Sequence, residues 1–206
     1  MGVAVEVPGL NQFIDEVPDG TIISIEGGVD HPKAVLAYMI IRTALGQGRE
    51  LIYVGPPGVA GLLEQLPVWG DLSGRLAHRF EGLDLAPLCA CLPSKPLVII
   101  DSLSYLVHEK DIAEVRTVLE SIRLGARSSG AIIVQLLESE LLSKELLALV
   151  GFHSDGIIQF IVRDVPDGVT RFMRIEKWMS GSSFERNIYY NYTEGNINVD
   201  LRYRVV

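Results

Sequence analysis

Cysteine is scarce. The only two in 206 residues, Cys89 and Cys91, form a single C-x-C. No second ligand pair lies near them, so a zinc site would have to recruit distant histidines. Two small buried apolar side chains are the expected state, and no metal site is assigned. Positive charge is also in deficit: 18 Lys and Arg stand against 26 Asp and Glu, a net charge of −8 with a pI near 5.0. That balance excludes broad electrostatic attraction to nucleic acid and leaves only a local basic patch open. Long apolar runs are missing too, since the best candidate, residues 34–45, is broken by Arg42. No bilayer-spanning helix is expected. The beginning of the chain lacks a basic leader and carries Glu6 early, so a signal peptide is not expected and a cytoplasmic location is.

Apolar residues are plentiful. They make up 48% of the chain, and the mean hydropathy is +0.28. This argues against disorder and predicts more apolar surface than a lone domain needs, which an oligomer interface would absorb. The length suits a single domain over 1–206.

Along the chain, Leu10, Phe13 and Ile14 form an apolar anchor before a turn at Pro18-Asp19-Gly20. A strand over 21–26 leads through a glycine-containing turn into a helix from about Pro32 to Leu45. The apolar face of that helix is Val35, Leu36, Met39 and Ile40. Strands are predicted at 51–54, near 76–80, at 96–101 and at 131–135, with an amphipathic helix over 112–124 and another helix from about 144 to 150. On the first helix Ile112, Val115, Val118, Leu119 and Ile122 form one stripe, with Arg116 and Arg123 off it. Alternating strands and helices predict an α/β fold: a mostly parallel sheet with helices on both faces, its core at about 20–160. Strands at 157–162, 169–177, 187–192 and 197–203, separated by turns, add an antiparallel meander over about 157–206.

The stretch Thr21-Ile-Ile-Ser-Ile-Glu-Gly-Gly-Val-Asp-His-Pro-Lys-Ala34 sits where a strand–loop–helix phosphate site would be. A working G-x-x-x-x-G-K-[ST] loop cradles phosphates with backbone N–H groups, a lysine and a metal-binding hydroxyl. Aligned on Lys33, Gly27 is the first glycine, Pro32 replaces the second, and Ala34 replaces the hydroxyl. Proline removes a donor, alanine cannot hold a metal, and Asp30 puts negative charge beside the phosphate position. Gly27, Gly28 and Lys33 are what remains of a nucleotide site. Gly55-Pro-Pro-Gly58 imitates such a loop but has Gly61 and Leu62 at the lysine and hydroxyl spacing, so it reads as a strand-to-helix turn. Asp101 ends an apolar strand, where it either holds a Mg²⁺-bound water or caps the following turn.

In their order and spacing these segments resemble the RecA-like P-loop ATPases, within them the KaiC-like and archaeal RadA-like branch. Val7-Pro-Gly-Leu-Asn-Gln-Phe-Ile14 resembles the lead-in of that branch, Gly20–Gly27 its strand into the Walker A loop, and Glu50–Val54 its second strand. Leu97–Leu106 resembles its Walker B segment, Asp155–Ile158 a late strand, and Arg174–Gly181 a basic hairpin. The resemblance implies a RecA-like three-layer fold with Asp101 as the Walker B carboxylate. It also implies that Arg174 and Lys177 are contacts to a neighbouring subunit or to nucleic acid. The departures fall on catalytic positions. Gly55, Pro56 and Pro57 stand where the water-activating glutamate would be, Glu64 is too far along to replace it, and Met179 replaces a trans arginine.

The expected function is therefore a non-catalytic homologue acting as a scaffold or regulator, with ATP hydrolysis lost, assembled with itself or with RecA-like subunits. The RecA-like subunits of the Elongator accessory ring are a comparable case. One alternative is a nucleotide sensor or weak ATPase that retains ATP and Mg²⁺ in a non-standard loop. Another is single-stranded nucleic-acid binding, with Phe172, Trp178, Phe184 and Tyr189 beside Arg171, Arg174 and Arg186. Those aromatics either stack bases or pack the inner face of the meander.

Overall fold

Short apolar segments with no alternation form strands buried on both faces, and such strands belong to a parallel sheet covered by helices on each side. The computed structural model describes residues 2–5, 7, 9–14, 16–29, 31–55, 76–80, 85–166, 168–179, 184–193 and 196–200. Its strands are β1 (Val3–Ala4), β2 (Glu16–Val17), β3 (Ile22–Gly27), β4 (Leu51–Val54), β5 (Leu76–Phe80) and β6 (Leu97–Ile100), then β7 (Ile132–Glu138), β8 (Gly156–Val165), β9 (Gly168–Lys177), β10 (Phe184–Thr193) and β11 (Asn196–Val199). The helices are α1 (Lys33–Gly46), α2 (Leu85–Ala90), α3 (Leu103–Val107), α4 (Ile112–Ser129) and α5 (Lys144–His153).

Among the described residues, nine strands make one sheet in the order β11-β10-β9-β8-β3-β7-β6-β4-β5. From β8 to β5 neighbours run parallel, and from β8 to β11 they run antiparallel. The register of β3 on β7 sets Gly27 beside Glu138, at the edge where the parallel strands end. Helix α1 covers one face with Val35, Leu36, Met39 and Ile40 against Ile23 and Ile25. Helices α2 to α5 cover the other, with Val115, Leu119 and Ile122 of α4 in a core shared with Ile22, Val98 and Ile133. The α/β three-layer arrangement with its antiparallel meander is as the sequence predicts. No helix among the described residues is long and apolar enough to cross a membrane.

Local chemistry fixes the helix ends. Asp111 accepts from the Glu114 amide at 2.8 Å while the Glu114 side chain accepts from the Asp111 amide at 3.2 Å, a capping box, and Gly130 closes α4 at φ 71°. Ser102 and Ser143 cap α3 and α5. Pro32 is the N-cap of α1 rather than a first-turn residue, and no side chain caps that end.

Several elements differ from expectation. The N-terminal segment pairs β1 with β2 around its buried Leu10 and Ile14. Helix α2 includes Pro87, tolerated in a first turn, so a stretch that reads as loop is helical. Cys89 is buried as expected but Cys91 is exposed, because α2 ends between them. The turn expected at 56–61, together with Asp30 and Glu64, lies outside the described residues, and the predicted last strand is described only as far as Val199.

Helix α4 continues past the expected Leu124, and Gly125 within it lies against α2. A Cβ there would be 2.7 Å from the carbonyl oxygen and the Cβ of Cys89. Gly125→Ala therefore gains about 1 kcal/mol of helix propensity but forces two backbones apart at a cost of about 1–3 kcal/mol. A lower urea midpoint with unchanged slope is the expected result.

Candidate functional site

The carboxyl ends of β3, β7, β6 and β4 bring four polar side chains together. Lys33, the first residue of α1, points back across the turn, and its side chain is 4% exposed. Its Nζ donates to the carbonyl oxygen of Gly27 at 3.2 Å, to that of Gly28, and to Glu138 Oε2 at 2.8 Å. An ammonium has three protons, and here each has an internal acceptor. Glu138 is placed by the end of β7, and Ser104 of α3 fixes that end. The Ser104 hydroxyl accepts from the Glu138 amide at 2.9 Å and donates to its carbonyl oxygen at 3.2 Å.

Asp101 follows β6, and the Asp101–Ser102 peptide bond is cis. Its Oδ2 accepts a 2.7 Å hydrogen bond from the Tyr53 hydroxyl of β4. Burial raises the Asp101 pKa and nearby Glu138 adds to this, while Tyr53 and Lys33 pull the other way. Burial, with Asp101 next to it, also drives the Tyr53 phenol far above its ordinary value.

Both loop glycines are needed for close packing. A Cβ on Gly27 would lie 3.1 Å from His31 and Phe160 side-chain atoms, and one on Gly28 would lie 2.8 Å from Glu140 Oε1 and 3.0 Å from His31 Nδ1. The imidazole of His31 thus folds back over the two glycines, and neither of its nitrogens has a partner among the described residues.

The structure brings Gly27, Gly28, Lys33 and Asp101 into one cluster. It places Arg174 and Lys177 elsewhere. Lys177 is opposite Ile157 at the amino end of β8, the far edge of the sheet, where its Nζ donates to the carbonyls of Gly151 (3.2 Å) and Ser154. Arg174 is half-buried on β9 in register with Gln159, whose partner on β3 is Glu26. Met179 packs against the core beneath α1. Phe172 is 2% exposed and Trp178 7%, so both are core residues, and Arg163 lies 5.0 Å from the centre of the Phe172 ring. The side chains of Phe184 and Arg186 lie outside the described residues.

Sequence reasoning missed Glu138, Tyr53 and Glu26. Glu138 carries the same signal as Asp101, a carboxylate closing an apolar strand. Glu26 is 6% exposed on β3, and its pKa is raised to about 7, by burial first and by Glu176 second, against a hydrogen bond from Gln159.

No protein-family model matches the sequence, and no curated protein matches it significantly. Solved structures do. A KaiC-like protein from the hyperthermophilic archaeon Pyrococcus horikoshii superposes with a TM-score of 0.74 at 17% identity, covering 97% of this chain and 99% of that one. The flagellar accessory protein FlaH of Methanocaldococcus jannaschii gives a TM-score of 0.71 at 18% identity, covering 97% and 98%. The RecA-like, KaiC-like resemblance is borne out as a fold. At these identities the likeness carries architecture and no activity.

Two outcomes follow from the geometry. Glu138→Ala leaves a buried ammonium with carbonyls alone and should cost about 3 kcal/mol. In a double-mutant cycle with Lys33→Met, urea melts should give a coupling of about 2 kcal/mol. Glu26 binds more protons folded than unfolded between its ordinary value of 4.5 and about 7. Its contribution is therefore full below 4.5 and is lost as pH rises through about 7, a span worth about 3 kcal/mol. Glu26→Gln should flatten that loss, raising stability at pH 8 and changing little at pH 5.

Proposed function

We propose that this chain is a non-catalytic RecA/KaiC-like ATPase homologue, a single cytoplasmic domain acting as an oligomeric scaffold or regulatory subunit, with ATP hydrolysis lost. The observation that carries this reading is the saturation of Lys33: its three protons go to Gly27, Gly28 and Glu138. A phosphate entering the loop would have to displace Glu138 and leave that carboxylate next to itself. Around this one lysine the described residues place three carboxylates, Asp101, Glu138 and Glu140. Their field opposes a polyphosphate chain. Ala34 offers no hydroxyl for Mg²⁺, and phosphoryl transfer depends on several such groups acting at once.

Scaffolding agrees with what persists. Strand and core positions keep the RecA-like architecture, while the changes concentrate on groups that would touch nucleotide. The apolar composition supports assembly with like subunits. Stacking of nucleic-acid bases draws no support from Phe172 and Trp178, which are buried.

Calorimetry with MgATP, MgADP and MgGTP, beside light scattering for particle mass, tests the proposal. The expected outcome is no binding heat up to about 1 mM nucleotide, a free energy weaker than about −4 kcal/mol, together with a stable oligomer. Micromolar binding abolished by Lys33→Ala would replace the scaffold with a nucleotide sensor.

A further inference from the structure

Helices α4 and α5 run side by side on the sheet face opposite α1 and enclose an open groove of about 690 Å³. Two large apolar side chains stand on it in water, Leu124 of α4 at 70% exposure and Phe152 of α5 at 71%. Arg116 and Arg123 line the same groove, with Glu120 between them. Neither guanidinium makes an ion pair or hydrogen bond among the described residues. Arg127 further along is different, bound to Asp155 at 2.6 Å and to the Gly20 carbonyl at 2.6 Å. His153 closes the floor at 7% exposure with Nδ1 unpartnered. Burial, then Arg123, holds its imidazole below the ordinary value, so it brings no further cation.

Unpaired arginines beside a protruding phenylalanine are the composition of an interface centre. They stand out more on a chain of net charge −8, where most of the surface would repel an acidic partner. Here the local sign is reversed. Arg116 and Arg123 are seven residues apart on one helix, about 10.5 Å along its axis.

We propose that the α4–α5 groove docks an acidic amphipathic helix of a partner protein. Carboxylates seven residues apart on that helix repeat the spacing of Arg116 and Arg123. Apolar side chains three or four residues from each carboxylate lie on the same face and cover Leu124 and Phe152. A basic residue midway meets Glu120. The proposal supplies a partner chemistry for the scaffold described above and rests on that reading.

The test uses the full chain and a fluorescein-labelled synthetic helical peptide carrying two glutamates seven residues apart with leucines on the same face, read by anisotropy. Saturable binding is expected, weakened at least roughly tenfold by Arg116→Glu/Arg123→Glu and by Phe152→Ala. A peptide with lysines in place of the glutamates should recover binding to the double arginine variant. Circular dichroism melts establish that the variants are folded. Absence of saturable binding to the wild-type chain, or equal affinity of both peptides for it, overturns the proposal. So does self-association abolished by Phe152→Ala in sedimentation velocity, which would assign the groove to a second copy. ATP turnover, followed on the same preparations, separates the two readings. Turnover with peptide binding intact sinks the scaffold and spares the groove, whereas neither turnover nor peptide binding sinks only the groove.

Discussion

A buried ammonium has to find acceptors for all its protons, and the edge of the sheet where β3, β7 and β6 end is built around meeting that demand at Lys33. Two acceptors come from the turn that precedes it, the carbonyls of Gly27 and Gly28, so the helix start is tied to its own loop. The third, Glu138, comes from a strand that is remote in sequence. Ser104 then ties Glu138 to α3, the helix that follows Asp101. Asp101 is in turn tied to β4 by Tyr53. Four segments far apart in the chain are thus joined by polar contacts at one edge. These contacts are costly to break one at a time, since each removal strands a buried partner.

The same edge sets the electrostatics. In an anion-binding loop the lysine is the unsatisfied charge, and the ligand completes its coordination. Here the chain supplies its own anion. Further carboxyl groups stand around it, and burial raises the pKa of Asp101 against the pull of Tyr53 and Lys33. Two strands over, on β3, the buried Glu26 faces a similar difficulty with help from Gln159. This part of the sheet therefore gathers acidic groups where burial raises their pKa values.

Much of the fold was legible because its signals are local. The short, mostly apolar runs of β3, β4, β6 and β7, bounded by turns, suit buried strands, and the stripe of Val115, Leu119 and Ile122 gathers on one face only as a helix. What escaped depended on neighbours. Gly125 looks like a helix breaker until Cys89 is seen against it, and Pro87 looks like loop until α2 begins two residues before it. The site divides in the same way. Lys33 and Asp101 stand out by motif and position. Glu138 becomes part of the site only through the register that sets it beside Gly27, a relation that pairs residues 111 positions apart. The role of Lys177 was likewise invisible, because its acceptors belong to a helix that precedes it by more than twenty residues.

Lys177 fastens the meander to the end of α5. The carbonyls it holds, those of Gly151 and Ser154, flank Phe152 and His153 on either side. The last turn of α5 is consequently tied by hydrogen bonds to a strand that lies outside the parallel core. Any displacement of that turn relative to β9 would have to break the two lysine hydrogen bonds. The end of the groove helix and the meander are thus joined through one side chain, although they are far apart in the chain.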